Sequence, residues 1–212
     1  MALPVNEKEN DMQKEKNQNF EEVLPQDYRQ VKVIDASGKG FGVIMNLIAL
    51  IPMVLCVVIT MMVLSPIDFS EEITNRSFIS LLAFVAVMVG YIILHELLHG
   101  LAYKLLTGRR LTFGLTLTVA YCGVPDIYVY RRASLIAILT PFLVFLPVFS
   151  VLLALVPGAL NKLLAAYMLG MHIGGCAGDL YGAGVMLFRL RDPALLMRDT
   201  GPRQEFYLPE RE

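Results

Sequence analysis

The 212-residue chain is 56% hydrophobic and 17% charged, with a formal net charge of −1. Soluble domains sit nearer half apolar and about a quarter charged, so this composition argues against an ordinary soluble domain. The three cysteines, Cys56, Cys122 and Cys176, are odd in number and form no C-x-x-C, which argues against a disulfide framework.

Residues 1–40 read as a polar tail with no early apolar core of the secretory type. Its first 21 residues, rich in Lys, Glu, Asn and Gln, carry the composition of a disordered segment, and the stretch from Glu22 to Asp35 holds the makings of a short strand. Residues 41–64 contain no charge; a bilayer core about 30 Å thick needs about 20 helical residues, so this is a first membrane span, with Pro52 inside it. A polar loop at 65–77 leads to a second span at 78–106, which carries His95, Glu96 and His99 and is closed by Gly108-Arg109-Arg110.

Residues 111–119 alternate apolar side chains with Thr or Gly, the period-two pattern of a strand. Cys122-Gly-Val-Pro-Asp126 is a turn signal and Ile127-Tyr-Val-Tyr130 a second strand, so residues 111–130 are expected to form a hairpin. A third span at 133–156 contains Pro141 and Pro147, Pro157-Gly158 marks a turn, a fourth span covers 160–190, and 191–212 are a charged tail. The expected fold is therefore an all-α membrane protein: residues 41–190 form four transmembrane helices with a short β-hairpin or re-entrant segment between helices two and three. Six Lys and Arg precede the first span, five lie between residues 104 and 132, five follow from Arg189 onward, and the other two loops hold one each, Arg76 and Lys162. Basic residues gather on the cytoplasmic side, so a multi-pass protein of the cell membrane with both termini cytoplasmic is expected. Its surroundings are the lipid bilayer, and nothing in the sequence points to nucleic acid.

The second span contains His95-Glu96-Leu97-Leu98-His99-Gly100, an H-E-x-x-H pattern. Residues four apart share one helix face, so His95 and His99 can aim ring nitrogens at one Zn2+ ion, while Glu96 beside them can take a proton from the attacking water. Ionisable groups within apolar spans are expensive and are usually functional. A catalytic zinc takes three protein ligands. The fourth span offers His172 and Asp179 as the third. His95 lies nine residues before Lys104 and Asp179 ten before Arg189, so at about 1.5 Å per residue the two lie at nearly one depth, while His172 sits about 10 Å away from it. Asp179 is favoured; His172 remains the alternative third ligand or a hydrogen-bonding group behind the first ligands.

Gly170, Gly174, Gly178 and Gly182 recur every four residues, a stripe that lets helices approach closely and is expected to bring Asp179 toward a neighbouring span, the H-E-x-x-H helix being the natural one. The hairpin either offers a strand edge to an extended peptide or covers the site.

These residues resemble the intramembrane zinc metalloproteases of the site-2 protease type. They resemble more closely the DUF3267 family of small membrane zincin-type peptidases, whose H-E-x-x-H-G motif, Leu-Pro-x-x-Tyr-like segment and late Asp correspond to residues 95–100, Leu24-Pro25-Gln26-Asp27-Tyr28 and Asp179. The resemblance covers about residues 22–200. It implies that His95, His99 and Asp179 bind zinc, that Glu96 is the general base or acid, and that the substrate is a membrane or membrane-proximal protein. Site-2 proteases place Asn-Pro-Asp-Gly or Leu-Asp-Gly at the third ligand, whereas this chain has Ala177-Gly178-Asp179-Leu180. With no Asn there, His172 and Tyr121 are the candidates for stabilising an oxyanion. Two other readings stand beside the peptidase: a non-catalytic zinc-binding scaffold or pseudo-protease, for which Glu96 has no purpose, and a transmembrane haem protein using His95 or His99 with His172.

Overall fold

The computed structural model describes residues 19–37, 40–64, 75–116 and 119–210, with side chains of the second helix described from residue 81 onward. The expectations for residues 1–18 and for the loop at 65–74 lie outside the described residues. Four helices are long and apolar enough to cross a membrane: α1 (Phe41–Leu64), α2 (Asn75–Thr107), α3 (Arg131–Leu155), and α4 (Ala159–Gly175) continued by α5 (Ala177–Gly184) and a π-helical turn, Val185–Arg189. Leu47, Ile51 and Val54 on α1, and Leu143, Val148 and Leu155 on α3, point outward.

The helices pack in the order α1, α4, α3, α2. The glycine stripe explains the first contact. A Cβ at Gly170 would stand 2.5 Å from the Met53 Cα, and one at Gly174 would run into the Ala49 carbonyl, while Gly175 and Gly178 face open space. The stripe thus seats α4 on α1 rather than on the H-E-x-x-H helix, a correction to the sequence expectation. A run of small residues creates a flat helix face but does not name the partner that uses it.

The fourth span is also not one continuous helix. After the Gly174-Gly175 pair, Cys176 takes φ −77° and ψ 2°, and the chain restarts as α5 with Asp179 in its first turn. Adjacent glycines make such a local break inexpensive, and a carboxylate in a first helical turn is favoured by the helix dipole.

A five-stranded antiparallel sheet is added to the expected all-α architecture. Its strands are β1 (Phe20–Glu21), β2 (Tyr28–Asp35), β5 (Tyr128–Tyr130), β6 (Leu196–Asp199) and β7 (Arg203–Pro209), in the order β1-β5-β6-β7-β2. The strand in the Glu22 to Asp35 stretch is β2, and the residues read as a charged tail supply β6 and β7. The hairpin between the second and third helices is present but differs in detail. Thr112–Leu115 (β3) pairs with Ala120–Gly123 (β4), so Cys122 lies in a strand rather than a turn, and Tyr128–Tyr130 leaves the hairpin to pair with β1 and β6.

Two apolar clusters frame the interior. Phe206, Met197, Leu195 and Val129 from the sheet region pack with Tyr103 of α2, Ala137 and Ile138 of α3, and Met186. Deeper in the bundle, Tyr91, Phe149 and Met168 meet Phe84, Met88 and Phe145. Substituting Gly174 by Leu forces a side chain into the α1 backbone and is expected to cost about 1–3 kcal/mol, read as a lower melting temperature in detergent. Gly184→Ala, with nothing within 4 Å of the new methyl group, is expected to leave it unchanged or raise it slightly.

Candidate metal centre

On α2, Tyr91, His95, His99 and Tyr103 recur every four residues and so form one polar stripe along an otherwise apolar helix. All four are buried. His95 Nε2 and His99 Nε2 each lie 3.4 Å from Asp179 Oδ2. The depth reckoning favoured Asp179 for this place, and the structure brings Asp179, not His172, to both imidazoles. The carboxylate meets these rings rather than an arginine.

The backbone of α3 prepares His99. Pro141 has no N–H, so the Ala137 carbonyl four residues earlier lacks its helical donor. His99 Nδ1 fills that vacancy by donating to Ala137 O at 2.9 Å. A carbonyl only accepts, so Nδ1 carries a proton, and the neutral ring keeps its lone pair on Nε2. His95 turns its Nδ1 to the Tyr91 hydroxyl at 3.2 Å, with Nε2 again facing Asp179.

The ligand atoms of His95, His99 and Asp179 lie within 4.8 Å of one another. Two imidazole nitrogens and one carboxylate oxygen make a donor set that suits zinc and leaves a fourth position for water or substrate. Glu96 lines the same cavity of about 290 Å³, and its carboxylate accepts a hydrogen bond from the Cys122 backbone N–H on β4. Tyr121, Cys122, Asp199 and Asn46 also line it. Burial pushes the Cys122 thiol up to about 12, so without a metal it stands there as a neutral group.

His95, His172 and Cys176 make a second close set, but His172 is held differently. Its Nδ1 meets the Tyr91 hydroxyl at 2.9 Å and its Nε2 donates to Phe142 O at 3.2 Å. Neither His172 nor Cys176 lines the cavity. That placement takes His172 away from an oxyanion role, and the Tyr91 hydroxyl standing between His95 and His172 leaves no slot for a haem between them. Three cavity or support residues escaped the sequence reading: Tyr91, Asn46 and Asp199. Tyr91 carried a signal, being four residues before His95; Asn46 carried another, as the one amide in the apolar α1.

Residues 88–192 match the model of the family DUF3267, described as putative zincin peptidase. No curated protein and no solved structure matches the chain.

Asp199 connects the sheet to this centre. Its Oδ2 accepts from the Tyr103 hydroxyl at 2.6 Å, its Oδ1 from Gly201 N–H at 2.9 Å, and its carbonyl from Val124 N–H at 2.8 Å. Burial outweighs these bonds and raises its carboxyl to about 6, from an ordinary 3.8. A raised acid favours folding fully below the lower value and loses that contribution as pH rises through the higher one. The loss amounts to about 3 kcal/mol. Wild-type stability is therefore expected to fall between pH 4 and pH 7 more steeply than that of Asp199→Asn, measured as paired melting temperatures across that range.

Proposed function

We propose that this chain is a membrane-embedded zinc metallopeptidase that hydrolyses peptide bonds of membrane or membrane-proximal proteins, a reading supported by the match of residues 88–192 to the DUF3267 family model. One observation carries the reading: two imidazole Nε2 atoms approach one carboxylate oxygen at 3.4 Å each, on the rim of a cavity that Glu96 also lines. Four helices of sufficient length and apolarity support a place in the cell membrane, and the distribution of Lys and Arg supports cytoplasmic termini.

In this reading His95, His99 and Asp179 hold the ion. Zinc, when bound, supplies a Lewis acid that makes water nucleophilic near neutral pH and polarises the scissile carbonyl. Glu96 accepts the proton of the attacking water and returns it to the departing amine. The Cys122 N–H holds the Glu96 carboxylate on the cavity side of α2, and the half-buried Glu96 side chain limits competing water. The complete pattern weighs against a non-catalytic scaffold, since metal binding alone gives Glu96 nothing to do.

Glu96→Gln is expected to lower cleavage by about 10²- to 10⁴-fold while zinc content stays at one per chain. The check is cleavage of fluorescently tagged membrane-spanning peptides by the reconstituted full chain, beside elemental analysis of the same preparations. A variant that cleaves at the wild-type rate would remove Glu96 from the mechanism. A wild-type protein that takes up no zinc would sink the zincin reading and favour the scaffold.

A further inference from the structure

Two buried polar residues have no part yet in the site: Tyr91, which lines the cavity, and His172, which lies behind it, both packed among Phe142, Phe145 and Phe149. We infer that they are positioning residues: through one hydrogen-bond chain they hold His95 in the tautomer that turns a bare Nε2 toward Asp179 and the ion. The inference rests on the zinc reading for its affinity consequence, but not for its geometry.

The direction of the chain follows from its far end. Phe142 O is a carbonyl and only accepts, so His172 Nε2, 3.2 Å away, carries a proton. The His172 ring is fully buried and its hydrogen-bonding neighbours are Phe142 O, the Tyr91 hydroxyl and the Cys176 thiol at 3.7 Å, none of them an anion. A buried ring with only neutral partners holds a single proton, which leaves its Nδ1 as an acceptor. Tyr91 O–H, at 2.9 Å, donates to that nitrogen. The hydroxyl has one proton to give, so its oxygen faces His95 Nδ1 at 3.2 Å as an acceptor. His95 Nδ1 therefore carries a proton, and in the neutral ring, the form that can bind an ion, Nε2 is bare. Run the other way, the chain would set the His172 Nε2 lone pair against a carbonyl oxygen. Metal-ligating histidines generally donate their second N–H to a fixed partner, and such partners set ring orientation and tautomer. Here a tyrosine fills that place because a histidine behind it accepts the hydrogen bond of the tyrosine's O–H.

Two substitutions separate this arrangement from mere packing. Tyr91→Phe leaves His95 Nδ1 without a partner, so both tautomers become accessible. His172→Leu does more harm, because the Tyr91 hydroxyl, deprived of its acceptor, now donates to His95 Nδ1 and favours the form with the proton on Nε2, which cannot ligate.

The chain has three histidines, so 15N-histidine NMR of the metal-free, full-length protein in detergent is tractable, with assignments from single substitutions. The expected result is a protonated Nδ1 on His95 in the wild type, a mixture in Tyr91→Phe, and a protonated Nε2 in His172→Leu. Zinc affinity, measured by chelator competition, is expected to fall about 10- to 100-fold in Tyr91→Phe and further in His172→Leu. Wild-type His95 protonated on Nε2 would overturn the inference, as would two variants that lose only thermal stability while keeping the wild-type tautomer and affinity. A wild type that binds no zinc would defeat the zinc reading alone, and the tautomer measurement would still decide this one.

Discussion

The structure depends on setting one carboxylate against two imidazoles inside an apolar bundle. Asp179 Oδ2 lies 3.4 Å from both His95 and His99, in surroundings where an unpaired charge would be costly. Helices α2 and α4 do not pack on each other closely enough to arrange this by themselves. Instead α4 is seated on α1 by Gly170 and Gly174, the chain bends at Cys176, and α5 restarts with Asp179 in its first turn. The carboxylate meets the face of α2 from the first turn of that restarted helix.

Around that meeting, the polar partners come largely from places where regular structure is interrupted. Pro141 deprives Ala137 of its donor, and His99 takes the carbonyl. The Asp199 to Gly201 turn, with Gly201 at φ 95°, gathers a carboxylate that receives the Tyr103 hydroxyl. A side chain at position 201 would meet both that backbone conformation and the Tyr121 ring. Irregularities that would count against stability in isolation are, in this bundle, the means of satisfying buried polar groups.

What the sequence disclosed divides along the range of the interactions. The four-residue spacing of His95 and His99 is local, and the helical rise is constant, so counting residues from Lys104 and from Arg189 placed His95 and Asp179 at one depth. The outward apolar faces were equally legible from charge-free runs. The sheet was legible only in part. β2 and β5 fall in stretches that read as strands, but β1 and β6 have at most four residues each, too short to declare a period. The β7 strand looked like tail because it is charged, yet Arg203 Nε lies 3.1 Å from Glu205 Oε1 within it, and Phe206 beside them is fully buried. The glycine stripe was visible but its partner was not, because small residues specify closeness and not identity. Tyr91 was overlooked since a tyrosine on an apolar face ordinarily reads as packing.

The stretch that matches the family model, residues 88–192, holds His95, Glu96, His99 and Asp179 together with Pro141 and His172. Other lining residues of the cavity come from outside that stretch: Ile34 near the end of β2 and Ala36 just after it, Phe41, Met45, Asn46 and Ala49 of α1, and Asp199, Gly201, Pro202 and Gln204 from the end of β6 to the start of β7. The groups suited to chemistry are thus confined to one contiguous segment, while the surface that any bound chain must face across the cavity is assembled from both ends of the polypeptide. The two halves are tied at Asp199, whose side chain reaches Tyr103 and whose carbonyl receives Val124 N–H. α1 is held by backbone-close contact with α4 and the β6–β7 turn by the Asp199 bonds to Tyr103 and Val124, so both parts of that lining are fastened to the elements next to the donor set.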